Sequence, residues 1–301
     1  MTKTVACLAG DGVGPELMAA ATRALDRVAA LHQFELDDRH LPFAGEAVTR
    51  SGHPLPPETR DAYRGADAIL VASPHEPAFA GVKADLQLAW RVARVHIDQT
   101  HDVVVVGPLG DWANETAVGR AFSCAASRRG TIVTVGESGA WRTAVAAERG
   151  RWDGLDVEEA TLGDVLVRLR EDPASLDVIV TEAHLVDPWV DAAAAFADSQ
   201  AVVAHAWLPD DGPGVFAPGR TAPDDDAGFG VVDPTAMLLA TSLMLAEGLK
   251  RRSASRTLER AVGNAVDRSG HSRDTRAFTD AVIELLPQSR TDVEHFDGAW
   301  R

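Results

Sequence analysis

Short apolar runs alternating with amphipathic helical stretches constrain this chain more than any other feature of its sequence. Residues 4–9, 68–72, 103–106, 131–135 and 178–181 are rich in Val, Ile, Leu and Ala and show no polar–apolar alternation. Runs of that kind read as strands buried on both faces. Between them, residues 15–31 carry Leu17, Met18, Ala21, Leu25 and Val28 at helical spacing, and residues 164–169, 191–196 and 234–249 read as further helices. Such an order predicts an α/β fold, a largely parallel sheet covered by helices. Residues 208–226, crowded with Pro, Gly and Asp, read as a loop, and so do residues 108–114. The polar tail beyond Pro287 carries Phe296 and Trp300 as candidate docking side chains.

A chain of 301 residues has room for one large domain or two of medium size. Its 45 acidic against 29 basic side chains give a net charge of −16, a surface that repels phosphate backbones and anionic lipid. Nucleic acid and membrane are therefore not expected partners, and no apolar run is long enough to span a bilayer. The N-terminus enters a strand pattern at once, without a basic and then apolar leader, so a cytoplasmic location is expected. Cys7 and Cys124 stand apart from each other and from any His at ligand spacing, and read as small hydrophobes. Lysine occurs only at Lys3, Lys83 and Lys250, and tyrosine only at Tyr63.

Gly10-Asp11-Gly12-Val13-Gly14-Pro15-Glu16 joins the first strand to the first helix. Glycines allow a close approach of backbone to a ligand, and a helix N-terminus favours an anion. Pro15 suits a first helical turn and Glu16 meets the positive end of the helix dipole. The spacing departs from the G-x-G-x-x-G dinucleotide fingerprint, and Asp37 and Asp38 downstream do not repair it, so on spacing alone a tight strand-to-helix turn is the better account of the glycines.

Read as a whole, GDGVGPEL resembles the N-terminal signature of the isocitrate/isopropylmalate dehydrogenase family, the metal- and NAD(P)-dependent β-decarboxylating enzymes. Further blocks agree in order. Gly52-His-Pro-Leu-Pro-Pro-Glu-Thr59 with Gly65-Ala-Asp-Ala-Ile-Leu70 is similar to "GxPLPxET…ADAIL". Asp172-Pro-Ala-Ser-Leu-Asp-Val-Ile-Val-Thr-Glu182 with Asp187-Pro-Trp-Val-Asp191 is similar to "PxxFDVIVTEN…GDILSD". Val215-Phe-Ala-Pro218, Ala222-Pro-Asp224 and Asp233-Pro-Thr235 track "FEPVHGSAPD…ANPTA". The resemblance implies a two-domain α/β homodimer with an interdomain active site, the first domain being 1–98 plus 203–301 and the second 99–202. The chain is short for the family, with residues missing between Arg94 and Asp102 and between Gly110 and Thr116. The second gap falls in the segment that carries the family's subunit-clasping arm.

The family oxidises a 2-hydroxy acid by hydride transfer to NAD(P) and then removes the β-carboxylate. That chemistry needs a divalent metal, Mg²⁺ or Mn²⁺, to polarise the hydroxyl, a general base and acid, and arginines that fork onto carboxylates. By resemblance, Asp187 and Asp191 are two of the metal ligands, one turn apart on a helix; Asp187 before Pro188 also reads as an ordinary N-cap. The third ligand position, supplied by the partner subunit in the family, is Gly163, with Asp164 adjacent. Glu137 or Ser138 stands where the family has its lysine. Gly107-Pro108-Leu109-Gly110 replaces the segment that carries the tyrosine and a substrate arginine. Arg91 and Arg94 fall near the remaining substrate arginines, although two arginines on a helix surface are an equal reading. For NAD(P), the resemblance points to Gly12, Val13, Gly14, Pro15 and Glu16, with Arg220 in place of the adenine-loop His, Ala217 in place of a Glu, and Asp233 in place of an Asn. Asp224, Asp225 and Asp226 would repel a dinucleotide.

Loss of a general acid and a general base removes about 10²–10⁴-fold in rate each. The expected function is therefore a divergent family member that acts on or binds a small carboxylic acid, with NAD-dependent oxidative decarboxylation lost or altered. The alternative is an active metal- and NAD(P)-dependent 2-hydroxy-acid dehydrogenase whose acid and base have moved, with Glu137, Glu182 and His184 as candidates; His75 is a further cleft histidine.

Overall fold

The computed structural model describes residues 2–74, 77–97, 101–196, 202–219, 224–269, 274–289 and 292. In chain order it runs β1 (Lys3–Leu8), α1 (Gly14–Leu31), β2 (Leu36–His40), α2 (Ala44–Ser51), α3 (Pro57–Arg64), β3 (Ala68–Val71), α4 (Pro77–Asp85), β4 (Leu88–His96) and β5 (Asp102–Pro108). There follow α5 (Asn114–Ala126), β6 (Thr131–Val135), α6 (Gly139–Arg149), β7 (Asp156–Glu159), α7 (Leu162–Glu171), β8 (Val178–Thr181) and α8 (Ala183–Phe196). The chain ends with β9 (Val202–Pro209), β10 (Gly214–Pro218), α9 (Thr235–Leu243), α10 (Arg252–Ser269) and α11 (Thr275–Leu285). His75, Arg220, Phe296 and Trp300 lie outside the described residues.

Two compact units divide the chain. The first comprises Met1–Gln87, Ala204–Ala206 and Asp211–Arg301, the second Leu88–Val203 and Trp207–Asp210. In the first unit the strand order is β2-β1-β3-β10, every pair parallel. In the second it is β4-β5-β8-β6-β7, parallel except for β4 against β5. Parallel strands buried on both faces carry no alternation, which is why Ala68–Val71 and Val178–Thr181 are apolar and buried at almost every position.

In the first unit, α1 packs through Leu17, Met18, Ala21, Leu25 and Val28, all fully or nearly fully buried. Glycine at position 14 is dictated by packing, because a Cβ there would lie 2.0 Å from the Ala9 carbonyl oxygen and 2.6 Å from Ser73 Oγ. Gly10 and Gly12 take positive φ of 75° and 58°, so the glycines of the first loop build a tight turn.

Two sequence expectations shift here. The stretch expected to be a loop over 208–226 contains β10, buried at all five positions. Three apolar residues, Val215, Phe216 and Ala217, bounded by Gly214 and Pro218, vanish when averaged with the acidic, Pro-rich flanks. The helix expected over 234–249 is α-helical to Leu243 and then makes a π turn over Met244–Gly248. That turn sets Gly248 against Phe216, where a Cβ would come within 2.9 Å of the ring.

In the second unit, Ala93, Val95, Val103, Val105, Val133, Val135 and Ile179 form one core with Val165 and Leu169 of α7 and Val186, Trp189 and Val190 of α8. These residues mark the face of the strands that α7 and α8 cover; α5 covers the other. No helix among the described residues is long and apolar enough to cross a membrane.

Candidate functional site

In the second unit the carboxyl ends of β5, β8 and β6 lie at one edge. The antiparallel β4 brings its amino end to the same edge, with Trp90 opposite Pro108 and Arg91 opposite Gly107. Open parallel sheets bind ligands at that edge. Glu137, Ser138, Glu182, His184, Asp187 and Arg91 all come from the segments that gather there.

Arg91 and Arg94 are strand residues, which corrects the helix-surface reading. They also point to opposite faces. Alternation along β4 groups Arg91 with Ala93 and Val95 on the α7–α8 side, and Arg94 with Trp90 and Val92 on the α5 side. Arg91 accordingly pairs with Asp187 of α8, and its guanidinium carbon lies 5.6 Å from the centre of the Trp207 ring. Arg94 donates to Asp102 at 2.6 Å, and Asp102 also accepts from Arg128 at 3.0 Å. Arg128 and the N–H of Arg129 in turn hold the buried Asp177, at 2.7 and 2.9 Å. Burial works against the Asp102 charge, but Arg94 and Arg128 outweigh it and hold this carboxyl well below the usual range. Arg94 is therefore a partner in a structural network, and one ligand cannot engage both arginines.

Gly107 stands where the resemblance places a substrate arginine, and that space is filled. A Cβ on Gly107 would lie 2.2 Å from Val186 Cγ2 and 3.0 Å from the Thr181 carbonyl oxygen. The α8 helix thus rests directly on the backbone of β5.

Glu182 is buried and acts on the turn between β6 and α6. Its carboxylate accepts from the backbone N–H groups of Glu137 at 3.1 Å and Ser138 at 3.2 Å. Burial raises its pKa, but bonds from the Ser138 hydroxyl and these two N–H groups prevail, helped by His184, and leave it below the ordinary glutamate value. A carboxylate so held is a weak general base near neutrality. Ser138 Oγ accepts from Trp141 N at 3.2 Å and caps α6. The position expected for the family's lysine is thus a helix cap. Glu137 is exposed.

On α8, His184, Asp187 and Asp191 are all exposed. The helix begins at Ala183, so Pro188 lies inside it and Asp187 is not an N-cap. Asp164 is occupied elsewhere: it accepts from Thr161 N at 3.0 Å and Thr161 Oγ at 2.7 Å in a capping box that opens α7. Among the described residues, no group of three His, Cys, Asp or Glu side chains could hold a metal ion. Asp187 is paired with the Arg91 guanidinium, and Asp191 stands one turn further along α8, so one chain alone brings two carboxylates to this face.

The residues expected to hold NAD(P) belong to the first unit. Glu16 receives the N–H groups of Gly228 and Gly230 and ties that loop to α1. Asp11 accepts from Gly45 N at 2.8 Å, and Asp233 accepts from Thr235 N at 2.8 Å in a turn that opens α9. Val13 is buried, Pro15 is exposed, and Gly12 and Gly14 shape the turn. These side chains hold their own loops together, and Arg220 lies outside the described residues.

Sequence reading missed Trp207, the platform under Arg91, and the stack of Arg120 on Trp90, 5.6 Å from guanidinium carbon to ring centre. Only strand pairing brings β9 and α5 to Arg91 and Trp90, so no local pattern announces either contact.

The fold is that of the β-decarboxylating dehydrogenases. The apo β-decarboxylating dehydrogenase of Thermococcus kodakarensis superposes with a TM-score of 0.81 over 99% of both chains at 20% identity. Isocitrate dehydrogenase from Methylococcus capsulatus gives 0.76 at 19% identity, covering 95% of this chain and 100% of that one. Sequence comparison is more specific. The family model for isocitrate/isopropylmalate dehydrogenase matches residues 4–98 and 89–284. The 3-isopropylmalate dehydrogenase of Synechococcus sp. (strain CC9902) is 31% identical over 88% of this chain and 91% of its own length. That of Deinococcus radiodurans is 30% identical, covering 95% and 98%. The chain belongs to the isocitrate/isopropylmalate dehydrogenase family.

Proposed function

We propose that this chain is a divergent member of its family that binds or acts on a small carboxylic acid at the strand ends of its second unit, without the family's NAD(P)-dependent oxidative decarboxylation. One observation carries the reading: the second unit contains neither a lysine nor a tyrosine. The groups a proton relay would need are all in the first unit and engaged there. Lys3 pairs with Asp67, Lys83 lies over Phe79, Lys250 bonds the Glu247 carbonyl, and Tyr63 is buried against Asp85. Arg91 is the cation suited to a carboxylate, since its fork presents paired donors and its stem is fixed by β4 and Trp207. The reading includes a homodimer joined through the outer faces of α7 and α8.

A thermal-shift titration tests it. Malate and related small carboxylic acids are expected to raise Tm without nucleotide or Mg²⁺, and incubation of isocitrate or 3-isopropylmalate with NAD⁺ or NADP⁺ to yield no reduced nicotinamide. Steady NADH or NADPH production from either substrate would overturn the proposal.

A further inference from the structure

We propose that the first two turns of α5, together with Trp90 of β4, form a binding site for a small oxyanion, the phosphate or carboxylate group of a metabolite. The site lies on the face of β4 opposite to Arg91, so it is separate from the carboxylic-acid reading above.

Two buried polar side chains are left unanswered here. Trp90 is 7% exposed and Asn114 5%, and neither Trp90 Nε1 nor Asn114 Oδ1 has a hydrogen-bond partner among the described residues. A buried donor or acceptor left unsatisfied costs about 1–3 kcal/mol, so such groups persist where something outside the chain meets them. Both belong to the same layer. Asn114 opens α5 on the buried side of the helix, in line with Ala117, Val118 and Ala121, and so faces the sheet. Trp90 faces α5 from the sheet. The Arg120 guanidinium lies over its ring, and its register partner Pro108 ends β5 where the chain turns toward α5.

The groups around these two favour an anion. The α5 helix is 13 residues long and its N-cap is Ala113, so the positive end of its dipole meets no capping side chain. Arg120 is exposed and has no carboxylate partner among the described residues. A helical side chain leans toward the N-terminus, which carries the Arg120 guanidinium back over Thr116 and Ala117. Asp111 and Glu115, the acids beside this turn, are both exposed, and Glu115 stands about 100° round the helix from Asn114. An oxyanion held here accepts from the indole N–H, the Asn114 amide and the guanidinium at the positive end of the helix. Arg120 is also the movable wall. It is an exposed side chain stacked on the indole and tied by no ion pair, so it can swing aside to admit the ligand.

The chain has seven tryptophans, hence seven indole N–H resonances in a ¹H–¹⁵N spectrum, and Trp90→Phe identifies the one that reports on the site. Sodium phosphate and sodium acetate are titrated in separate arms, with sodium chloride holding the ionic strength constant. The Trp90 resonance is expected to move saturably, and the arm that moves it distinguishes a phosphoryl from a carboxylate ligand. Arg120→Gln should weaken that binding about tenfold, through the loss of a hydrogen bond from a charged group. Arg91→Gln should leave it unchanged. A Trp90 resonance that stays in place in both arms means that water alone fills the site and overturns the proposal. A shift equally strong in Arg120→Gln, or one abolished by Arg91→Gln, overturns it too. If Trp90→Phe fails to fold, Tm replaces the resonance. A rise with phosphate or acetate that is smaller in Arg120→Gln supports the site, and no rise, or the same rise in both proteins, overturns it.

Discussion

Gly107 shows how much one side chain decides. Where the family resemblance expects an arginine, this chain has a hydrogen atom, and Val186 has moved into the space. The contact is tight enough that Gly107→Ala must force Val186 aside; overpacking of this kind costs about 1–3 kcal/mol. Val186→Ala alone leaves a void and is also destabilising. Together the two should compensate, so the double variant is expected to lose less stability than the sum of the singles. Urea midpoints with unchanged slopes would measure that coupling, and strict additivity would show that the two residues do not meet. The loss of the family arginine is thus built into the packing of α8, and restoring a side chain at 107 is blocked until Val186 is made smaller. The sequence could display the missing arginine. It could not display the valine that replaced it, because a contact between β5 and α8 has no local signature.

At the scale of elements, β5 was legible as an apolar run, but β4 was not, and the placement of its two arginines was missed with it. A two-residue period places positions 91 and 94 on opposite faces, and only the strand assignment makes that period relevant. Once Arg94 belongs to the α5 side, Asp102, Arg128 and Asp177 become its natural partners. This network carries a pH dependence whose sign is fixed. The Asp102 carboxyl is held below its ordinary value in the folded protein, so its contribution is complete above the unfolded pKa of about 4 and is lost as pH falls from there toward the folded value. Glu182, held low by the β6–α6 turn, acts in the same direction. Asp102→Asn is expected to lower stability at neutral pH by on the order of 3 kcal/mol, because Arg94 and Arg128 lose a mostly buried partner. It should also flatten the loss of stability below about pH 4 relative to wild type. Urea midpoints recorded across that range test both effects, and an acid limb as steep as the wild type's would assign the pH dependence to other groups. The α8 helix gives the complementary lesson. Asp187-Pro188 carries the signature of a helix start, yet the helix begins at Ala183, because Val186, Trp189 and Val190 on one side of it are drawn into the core. Tertiary burial overrode a local stop signal.

Across the whole molecule, the α/β class and the family were readable from ordered motifs, since Gly, Pro and Asp at turns and Val and Ile in strands are fixed by backbone and burial. The assembly was less readable, and for a related reason. Of the apolar side chains of α7 and α8, Val165, Leu169, Val186, Trp189, Val190 and Ala193 belong to the core of their own unit. What remains outward on α7 is Val167, 54% exposed, next to the half-buried Leu166. A dimer built on this face therefore has a small apolar centre within a polar surround, and a single charge there should be enough to weaken it. Stable interfaces bury their apolar anchors and exclude unpaired charge from the middle. Val167→Glu is expected to shift the protein from dimer toward monomer in sedimentation equilibrium while leaving its urea midpoint nearly unchanged, since the side chain faces water within its own unit. Val48→Glu, at a comparably exposed valine on α2 that is 46% accessible, should leave the mass unaltered. A wild-type protein that sediments as a monomer would remove the dimer from the proposal, and a Val167→Glu protein that stays dimeric would move the contact away from α7.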